Sequence, residues 1–311
     1  AYWSNPDNWS NGTIPNSNTS VVVPNPKNLI VDLPHAICRK LTIQNGGRVS
    51  IDPTKTLTVL NLLRNYSEEP GLIIRSDATG TGSLWHPNTG VKATFERYLA
   101  AADWNNPQDG WHHISSPVIN APIAYEWTPV GENDNYDFYL WDSGNATWLN
   151  QKDPVNNITI FERAVGYCVA YQQNKTQAFR GELFIGNHSS NIPITVDSWI
   201  PLGNPYPCAL RWNTSWYMLD GYASIVKVWN RANMSYDDIL PYGIIPATNG
   251  FMAFGEAIGT LVNLQMSIPS NARVISSVPF YKSGNLNKGI FLRVRDTENH
   301  SSQESAVLQN E

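Results

Sequence analysis

The sequence predicts an all-β protein, with a small β-solenoid-like N-terminal domain followed by two repeated β-sandwich domains. Three observations carry this expectation. Short runs rich in β-branched residues recur at even spacing at 21–23, 29–31, 40–43, 48–51, 57–59 and 72–74, and apolar and polar residues alternate inside them, which is strand periodicity. Corners such as Asn45-Gly46-Gly47 and Asp52-Pro53 separate the runs. A longer motif, Trp-x-x-(apolar)-x-x-Pro, occurs at Trp111 and again at Trp199, a separation that suits one β-domain. Helical periodicity is not sustained anywhere; residues 233–240 are expected to make one short helical turn at most.

Composition agrees and removes several function classes. Charged residues make up 15% of the chain, while 12 Trp and 14 Tyr favour pleated surfaces and the abundant Asn, Gly and Pro favour turns. A net charge of −5 without any Lys/Arg cluster offers no phosphate-binding footprint, so nucleic acid is not an expected partner. No apolar run is long enough to cross a bilayer, so no membrane span is expected. The opening residues Ala1-Tyr2-Trp3-Ser4 read as the start of a processed, mature chain.

Taken in order, residues 3–15 form an aromatic turn segment, and the even rungs that follow place the solenoid-like domain at 1–95. The two repeats are expected at 96–197 and 198–311. Trp111 to Pro117 aligns with Trp199 to Pro205 at a shift of 88, and Leu140-Trp141-Asp142 aligns with Val228-Trp229-Asn230 at the same shift. Gly166-Tyr167-Cys168-Val169-Ala170 then answers Gly250-Phe251-Met252-Ala253-Phe254 at a shift of 84. Three landmarks in one order point to a duplicated unit.

These residues also carry a family resemblance. Residues 3–15 with the Leu-Thr-Ile and Leu-Thr-Val rungs resemble repetitive N-terminal parts of large secreted Bacteroidota proteins. Glu96-Arg97-Tyr98-Leu99, Trp111 to Val118 and Gly203-Asn204-Pro205-Tyr206-Pro207 resemble the module that precedes the C-terminal sorting domain of type IX secretion cargo. The resemblance implies export to the outer surface and an extracellular or cell-surface location. It does not imply one activity, since such modules accompany adhesins and hydrolases alike. The chain departs from the pattern by stopping at Glu311, where such cargo continues into the sorting domain.

A search for chemistry yields no catalytic residues: no nucleophile elbow, zinc-protease motif or phosphate-cradling loop is present. His112 and His113 are adjacent on an expected strand and so point to opposite faces, which prevents joint metal binding. Glu132, Asp134 and Asp137 lie close enough in sequence to offer oxygen ligands to Ca²⁺, the one cofactor considered, against the alternative of a solvated hairpin tip. Cys168 and Cys208 are either joined in a disulfide or, with Cys38, are small buried residues. Eleven Asn-x-Ser/Thr triplets, at Asn8, Asn11, Asn18, Asn65, Asn145, Asn157, Asn174, Asn187, Asn213, Asn233 and Asn299, are candidate glycosylation sites or by-products of Asn-rich turns. Asn145, Asn174 and Asn187 sit in the most turn-like contexts.

Aromatic residues are the last signal. The repeated Trp111, Trp141, Trp199 and Trp229 are expected in the cores, while Trp148, Trp212 and Trp216 are candidates for stacking on sugar rings. The expected function is therefore a non-enzymatic extracellular structural or adhesive surface protein. It would be a pilus-like filament subunit if copies self-associate by strand or terminal-segment exchange through the aromatic Tyr2, Trp3 and Trp9 or the run 306–308. The alternative is a carbohydrate-binding accessory portion of a polysaccharide-degrading enzyme, with a surface polysaccharide as partner.

Overall fold

The computed structural model describes residues 1–106, 109–128, 135–213, 222–231, 234–256 and 262–276, and the backbone of two further strands at 289–295 and 302–308. The chain is all-β and begins with a β-solenoid of about four turns. One parallel sheet has the order β1 (Ser20–Val23), β3 (His35–Ile43), β5 (Thr56–Asn65), β9 (Ser83–Trp85). A second stacks β2 (Asn28–Val31), β4 (Arg48–Ile51), β6 (Leu72–Ile74) and β10 (Lys92–Leu99), also in parallel. Val21, Leu29, Leu41, Val49, Leu57 and Leu72 point inward and stack from turn to turn, so alternation within each strand becomes a continuous apolar column. Two outward residues in succession, Arg39 and Lys40, mark where β3 shifts register against β5 and bends round a corner. A small hairpin, β7 (Ser76–Asp77) with β8 (Gly80–Thr81), is inserted before β9.

Residues 1–3 extend the second sheet: the Trp3 N–H donates to Ile30 O at 2.8 Å and the Ile30 N–H to Ala1 O at 2.8 Å. Trp3 is fully buried in the solenoid, and Trp9 packs edge-on against it at 5.2 Å and donates its indole N–H to Trp3 O. The aromatic segment considered for exchange between copies is thus taken up by its own solenoid. Burial against the apolar column stabilises an indole by roughly 3 kcal/mol, enough to favour this fold-back.

At the other end of the stack β10 pairs antiparallel with β15 (Lys175–Glu182), over Lys92↔Glu182 to Leu99↔Lys175. A boundary between residues 95 and 96 therefore falls inside β10, which serves the solenoid and the first repeat together. The core reflects this: Trp3, Leu72 and Phe95 belong to the same buried cluster as Phe138, Phe161 and Tyr171.

The first repeat adds a four-stranded antiparallel sheet, β11 (His112–Ile114), β14, β12 (Tyr136–Asp142), β13 (Thr147–Asn150), where β14 is Tyr167–Tyr171. Its inner face packs toward β15 through aromatic residues between the layers: Phe138 and Tyr167 of the sheet lie 5.7 and 4.9 Å from Phe161, and Phe179 of β15 lies 4.9 Å from Phe161 and 4.6 Å from Trp127. The second repeat has the same design. Its sheet order is β17 (Ser198–Gly203), β22 (Gly250–Gly255), β19 (Tyr222–Asn230), β20 (Ser235–Ile239), and β16 (His188–Ile194) pairs antiparallel with β23 (Val262–Ile268) as β10 pairs with β15, so this unit takes in a strand that lies before the expected boundary at 198. Trp111 and Trp199 precede or open equivalent strands, Trp141 and Trp229 lie on equivalent strands, and Gly166 and Gly250 begin the equivalent central strand. β20 is a strand where a short helical turn was expected: Tyr236 pairs across from Trp229, and cross-strand aromatic contact outweighs local propensity. A three-stranded sheet of β18 (Ala209–Arg211), β21 (Ile244–Ile245) and β24 (Arg273–Val274) completes this core. β25 (Gly289–Arg295) pairs with β26 (Ser302–Leu308), so the run 306–308 finds its partner in the preceding strand.

Candidate functional site

The outer faces of the two four-stranded sheets meet in an aromatic cleft, and strand alternation explains which residues reach it. Along β12, Tyr136 and Phe138 turn into the core, so Asp137, Tyr139 and Trp141 turn out. Cross-strand register places His113, Cys168 and Tyr139 in one row on that outer face, and Trp141 opposite Trp148. In the second repeat Val226 is core, so Lys227 and Trp229 face out; Pro201, Met252 and Lys227 form the matching row, and Trp229 lies opposite Tyr236.

The cleft has two adjoining cavities. One, of about 330 Å³, is lined by Trp111, His113, Asp137, Tyr139, Trp148, Cys168, Trp229 and Tyr236. The other, of about 530 Å³, is lined by Trp141, Trp148, Ser198, Trp199, Lys227, Tyr236 and Met252. The repeat maps one lining onto the other: Trp111 onto Trp199, Tyr139 onto Lys227, Cys168 onto Met252, Trp229 onto Trp141, and Trp148 and Tyr236 onto each other. Ring geometry repeats as well. Trp141 and Trp148 meet edge-to-face at 5.2 Å and 65°, and Trp229 and Tyr236 at 5.0 Å and 68°. Trp111 packs against Tyr139 at 5.9 Å, whereas the corresponding Trp199 receives the Lys227 ammonium over its ring at 5.3 Å.

The floor of the cleft has the same pseudo-twofold character. Ile114 bridges Asn249, and its counterpart Leu202 bridges Val165, the counterpart of Asn249. Such reciprocal pairing is the signature of an isologous contact. Close approach demands glycine there: a Cβ on Gly203 would lie 2.0 Å from Ser115 Oγ, and one on Gly166 2.5 Å from Leu202 O. Arg97, fully buried on β10, crosses from the solenoid layer to the second repeat and donates to Asn249 Oδ1 at 3.1 Å and Thr248 Oγ1 at 3.3 Å.

The polar groups of the cleft are held in fixed states. Burial lowers the His113 pKa to about 4, so the ring is neutral at physiological pH, and its Nε2 shares a hydrogen bond with the Tyr236 hydroxyl at 3.3 Å. Its face lies 6.3 Å from Trp229, nearly parallel. Burial raises the Tyr236 phenol to about 12, and burial first, then Asp137, raises the Cys168 thiol. Asp137 accepts from Lys152 Nζ at 3.1 Å, and Lys227 is paired with Asp238.

The sequence-predicted residues divide sharply against this geometry. Trp148 is in the cleft and 39% exposed. Trp212, a stacking candidate, is fully buried beside Phe251 at 5.7 Å, because β18 is a core strand of the second repeat. Trp216 lies outside the described residues. The repeated tryptophans, expected in the cores, are instead half-buried linings of the cleft. His112 and His113 do point oppositely, His112 bonding Ala100 O at 3.0 Å.

Glu132 and Asp134 lie outside the described residues, Asp137 is engaged by Lys152, and among the described residues no cluster of three or more metal-ligating side chains occurs. Cys168 and Cys208 are free thiols: Cys168 faces the cleft while Cys208 is sealed in the second core, so of the two readings the disulfide is not formed. Asn8, Asn11, Asn18, Asn145, Asn157, Asn174 and Asn187 are exposed, although the amide of Asn8 donates to Tyr2 O at 2.8 Å and that of Asn145 to Asp142 at 2.7 Å. Asn65 is not suited to carrying glycan, since its amide donates both to Lys92 O at 2.9 Å and to Glu68 O. Asn213 is half-buried, and Asn233 and Asn299 lie outside the described residues.

No curated protein and no solved structure matches the chain. A family model described as a domain of unknown function (DUF8693) matches residues 1–243, which takes in the solenoid, the first repeat and every cleft residue except Met252. The chain belongs to the DUF8693 family.

Proposed function

We propose that this chain is a non-enzymatic adhesive protein of the cell surface that binds saccharide in the cleft between its two repeats. The observation that carries this reading is the convergence of Trp111, Trp141, Trp148, Trp199 and Trp229 with Tyr139 and Tyr236 on one concave surface. Sugar rings present C–H faces and hydroxyl rims, and they suit aromatic faces edged by Tyr, Ser, His and Asp groups. Such a concentration of half-buried rings at a two-sheet contact is more than packing between the sheets requires.

The titratable groups present favour binding over turnover. His113 and Cys168 are cross-strand neighbours, the arrangement of a thiol nucleophile with its base. An activated pair needs a lowered thiol pKa, yet burial raises Cys168 and keeps His113 neutral. Export to the surface is supported by the resemblance of Trp111 to Val118 and Gly203 to Pro207 to type IX secretion cargo, and the exposed Asn-x-Ser/Thr sites suit an extracellular chain. A filament built by N-terminal exchange draws no support from Trp3, which its own solenoid buries.

Affinity electrophoresis of the purified chain through gels containing β-glucan, mannan or xylan tests the reading. Migration is expected to slow in at least one gel, and the Trp148→Ala/Tyr236→Ala double variant is expected to migrate freely with an unchanged far-UV circular dichroism spectrum. Unretarded migration of the native chain in every gel contradicts saccharide binding.

A further inference from the structure

The pseudo-twofold arrangement of the cleft says more than its composition does. Trp148 and Tyr236 each line both cavities, so the two halves adjoin at these rings, and each ring belongs to the subsite of its own repeat and to that of the other. A ligand entering one half therefore meets the second along a continuous aromatic surface. We propose that the cleft is a pair of coupled subsites for a single uncharged, linear saccharide chain that crosses the Trp148–Tyr236 pair from one repeat into the other. This rests on the saccharide-binding reading and adds the length and charge of the ligand.

Length follows from the duplication. The volumes of about 330 and 530 Å³ each lie in the range of a small-molecule site, and each half places an indole at the corresponding position, Trp111 beside Tyr139 and Trp199 beneath Lys227. When a chain occupies one half, its continuation is held beside the other at an effective concentration set by the short connection, so the second contact forms without a second loss of translational freedom. Aromatic stacking is tolerant of ring orientation, which lets two halves of opposite sense engage one directional chain.

Neutrality follows from charge matching. The charged side chains that reach the lining, Asp137 and Lys227, are each satisfied within their own repeat, by Lys152 and Asp238. An acidic sugar would have to displace Asp238 from Lys227 or approach Asp137, and either costs more than a neutral hydroxyl rim would. Two donors at the cleft are left over. The indole N–H groups of Trp141 and Trp229, equivalent by the repeat, are buried with no oxygen or nitrogen partner, each edge-on to a neighbouring ring. A hydroxyl that shifted either ring would supply one.

Calorimetric titration of the full chain with ladders of neutral oligosaccharides (β-1,4-glucan, β-1,3-glucan and mannan, two to six sugars long) and of oligogalacturonates tests the proposal. Kd is expected to fall about 100-fold between the shortest and longest members of one neutral ladder, with no comparable gain in the acidic ladder. Trp111→Leu and Trp199→Leu should each abolish the length dependence while preserving weak binding of short members. Since those rings are half-buried, Trp148→Ala, at an exposed position, provides a second variant, with near-UV circular dichroism to confirm folding. Equal affinity for short and long members, or preference for the acidic ladder, overturns the coupled-subsite proposal while leaving saccharide binding standing. Failure of every member of both ladders to bind overturns both.

Discussion

The two repeats share one sheet order but differ in what their second layer belongs to. In the first, β10 and β15 are the last strands of the solenoid sheet, and the repeat's aromatic core is continuous with the apolar column of the coils. In the second, β16 and β23 stand as a two-stranded layer over a separate core. The difference shows how a duplicated unit acquires distinct parts. The first copy is fastened to a rigid stack, and the second is fastened to the first through a glycine-lined floor and Arg97. The cleft lies at that junction, so one wall is anchored to the solenoid and the other depends on the floor for its position.

The largest expected effect tests the anchoring. Phe179 of β15 and Met266 of β23 are core residues on corresponding strands, both essentially unexposed. Phe179→Ala should cost about 3–5 kcal/mol, because it opens a cavity in the core that joins solenoid and first repeat. Met266→Ala should cost about 2–4 kcal/mol and leave the solenoid transition in place. Urea denaturation followed by tryptophan fluorescence and far-UV circular dichroism checks both; equal loss of solenoid signal in the two variants would contradict two separate cores.

A smaller effect tests the floor. Gly203→Ala places a Cβ against Ser115 Oγ and Val165 O, and backbone must shift to admit it. The expected destabilisation is about 1–3 kcal/mol, accompanied by weaker ligand binding because the second wall moves relative to the first. Gly12→Ala is the control for stability loss from local strain, since a Cβ there meets nothing but Gly12 has a φ of +66°, far from the cleft. Binding lost equally in both variants would separate the floor from the site.

Acidification gives the most gradual effect. His113 titrates near 6.5 when unfolded and near 4 when folded, so between those values the unfolded chain binds more protons. The stability from keeping the ring neutral is fully present above about pH 6.5, falls progressively toward pH 4 and is constant below. His112 and His86, both lowered to about 3 chiefly by burial, act in the same direction over a wider window. His113→Gln should reduce the slope of stability against pH between 6.5 and 4; an unchanged slope would mean that burial does not hold His113 neutral in the folded chain.

Much of this architecture was legible in the residues. The runs at 21–23, 29–31, 48–51 and 72–74 are solenoid strands because β-branched alternation and Asn-Gly corners act locally. The repeated landmarks fall at matching places in two four-stranded sheets of the same order. What sequence could not settle was which face of a strand is the core. In 136–142 both faces are aromatic, with Tyr136 and Phe138 on one and Tyr139 and Trp141 on the other, so periodicity fixes partners on a face without saying what covers it. Trp111, Trp141, Trp199 and Trp229 therefore read as core, while Trp148 and Trp212 both read as stacking candidates although only Trp148 reaches the cleft. The shift of 88 that relates Trp111 to Trp199 also relates Trp148 to Tyr236 and Tyr139 to Lys227. That was the available signal for the site. The sharing of β10 between solenoid and repeat was invisible, because strand pairing is a long-range choice that local alternation does not encode.

The central claim is that both repeats hold one ligand in a shared aromatic cleft, and the indole resonances of the protein report on it directly. In a ¹⁵N-tryptophan correlation spectrum assigned by Trp→Phe variants, a neutral glucan or mannan hexasaccharide should shift Trp111, Trp141, Trp148, Trp199 and Trp229 together, with one binding isotherm. Trp3, Trp127 and Trp212, buried in the cores, should stay in place. Shifts confined to one repeat, or none at saturating ligand, would contradict the account.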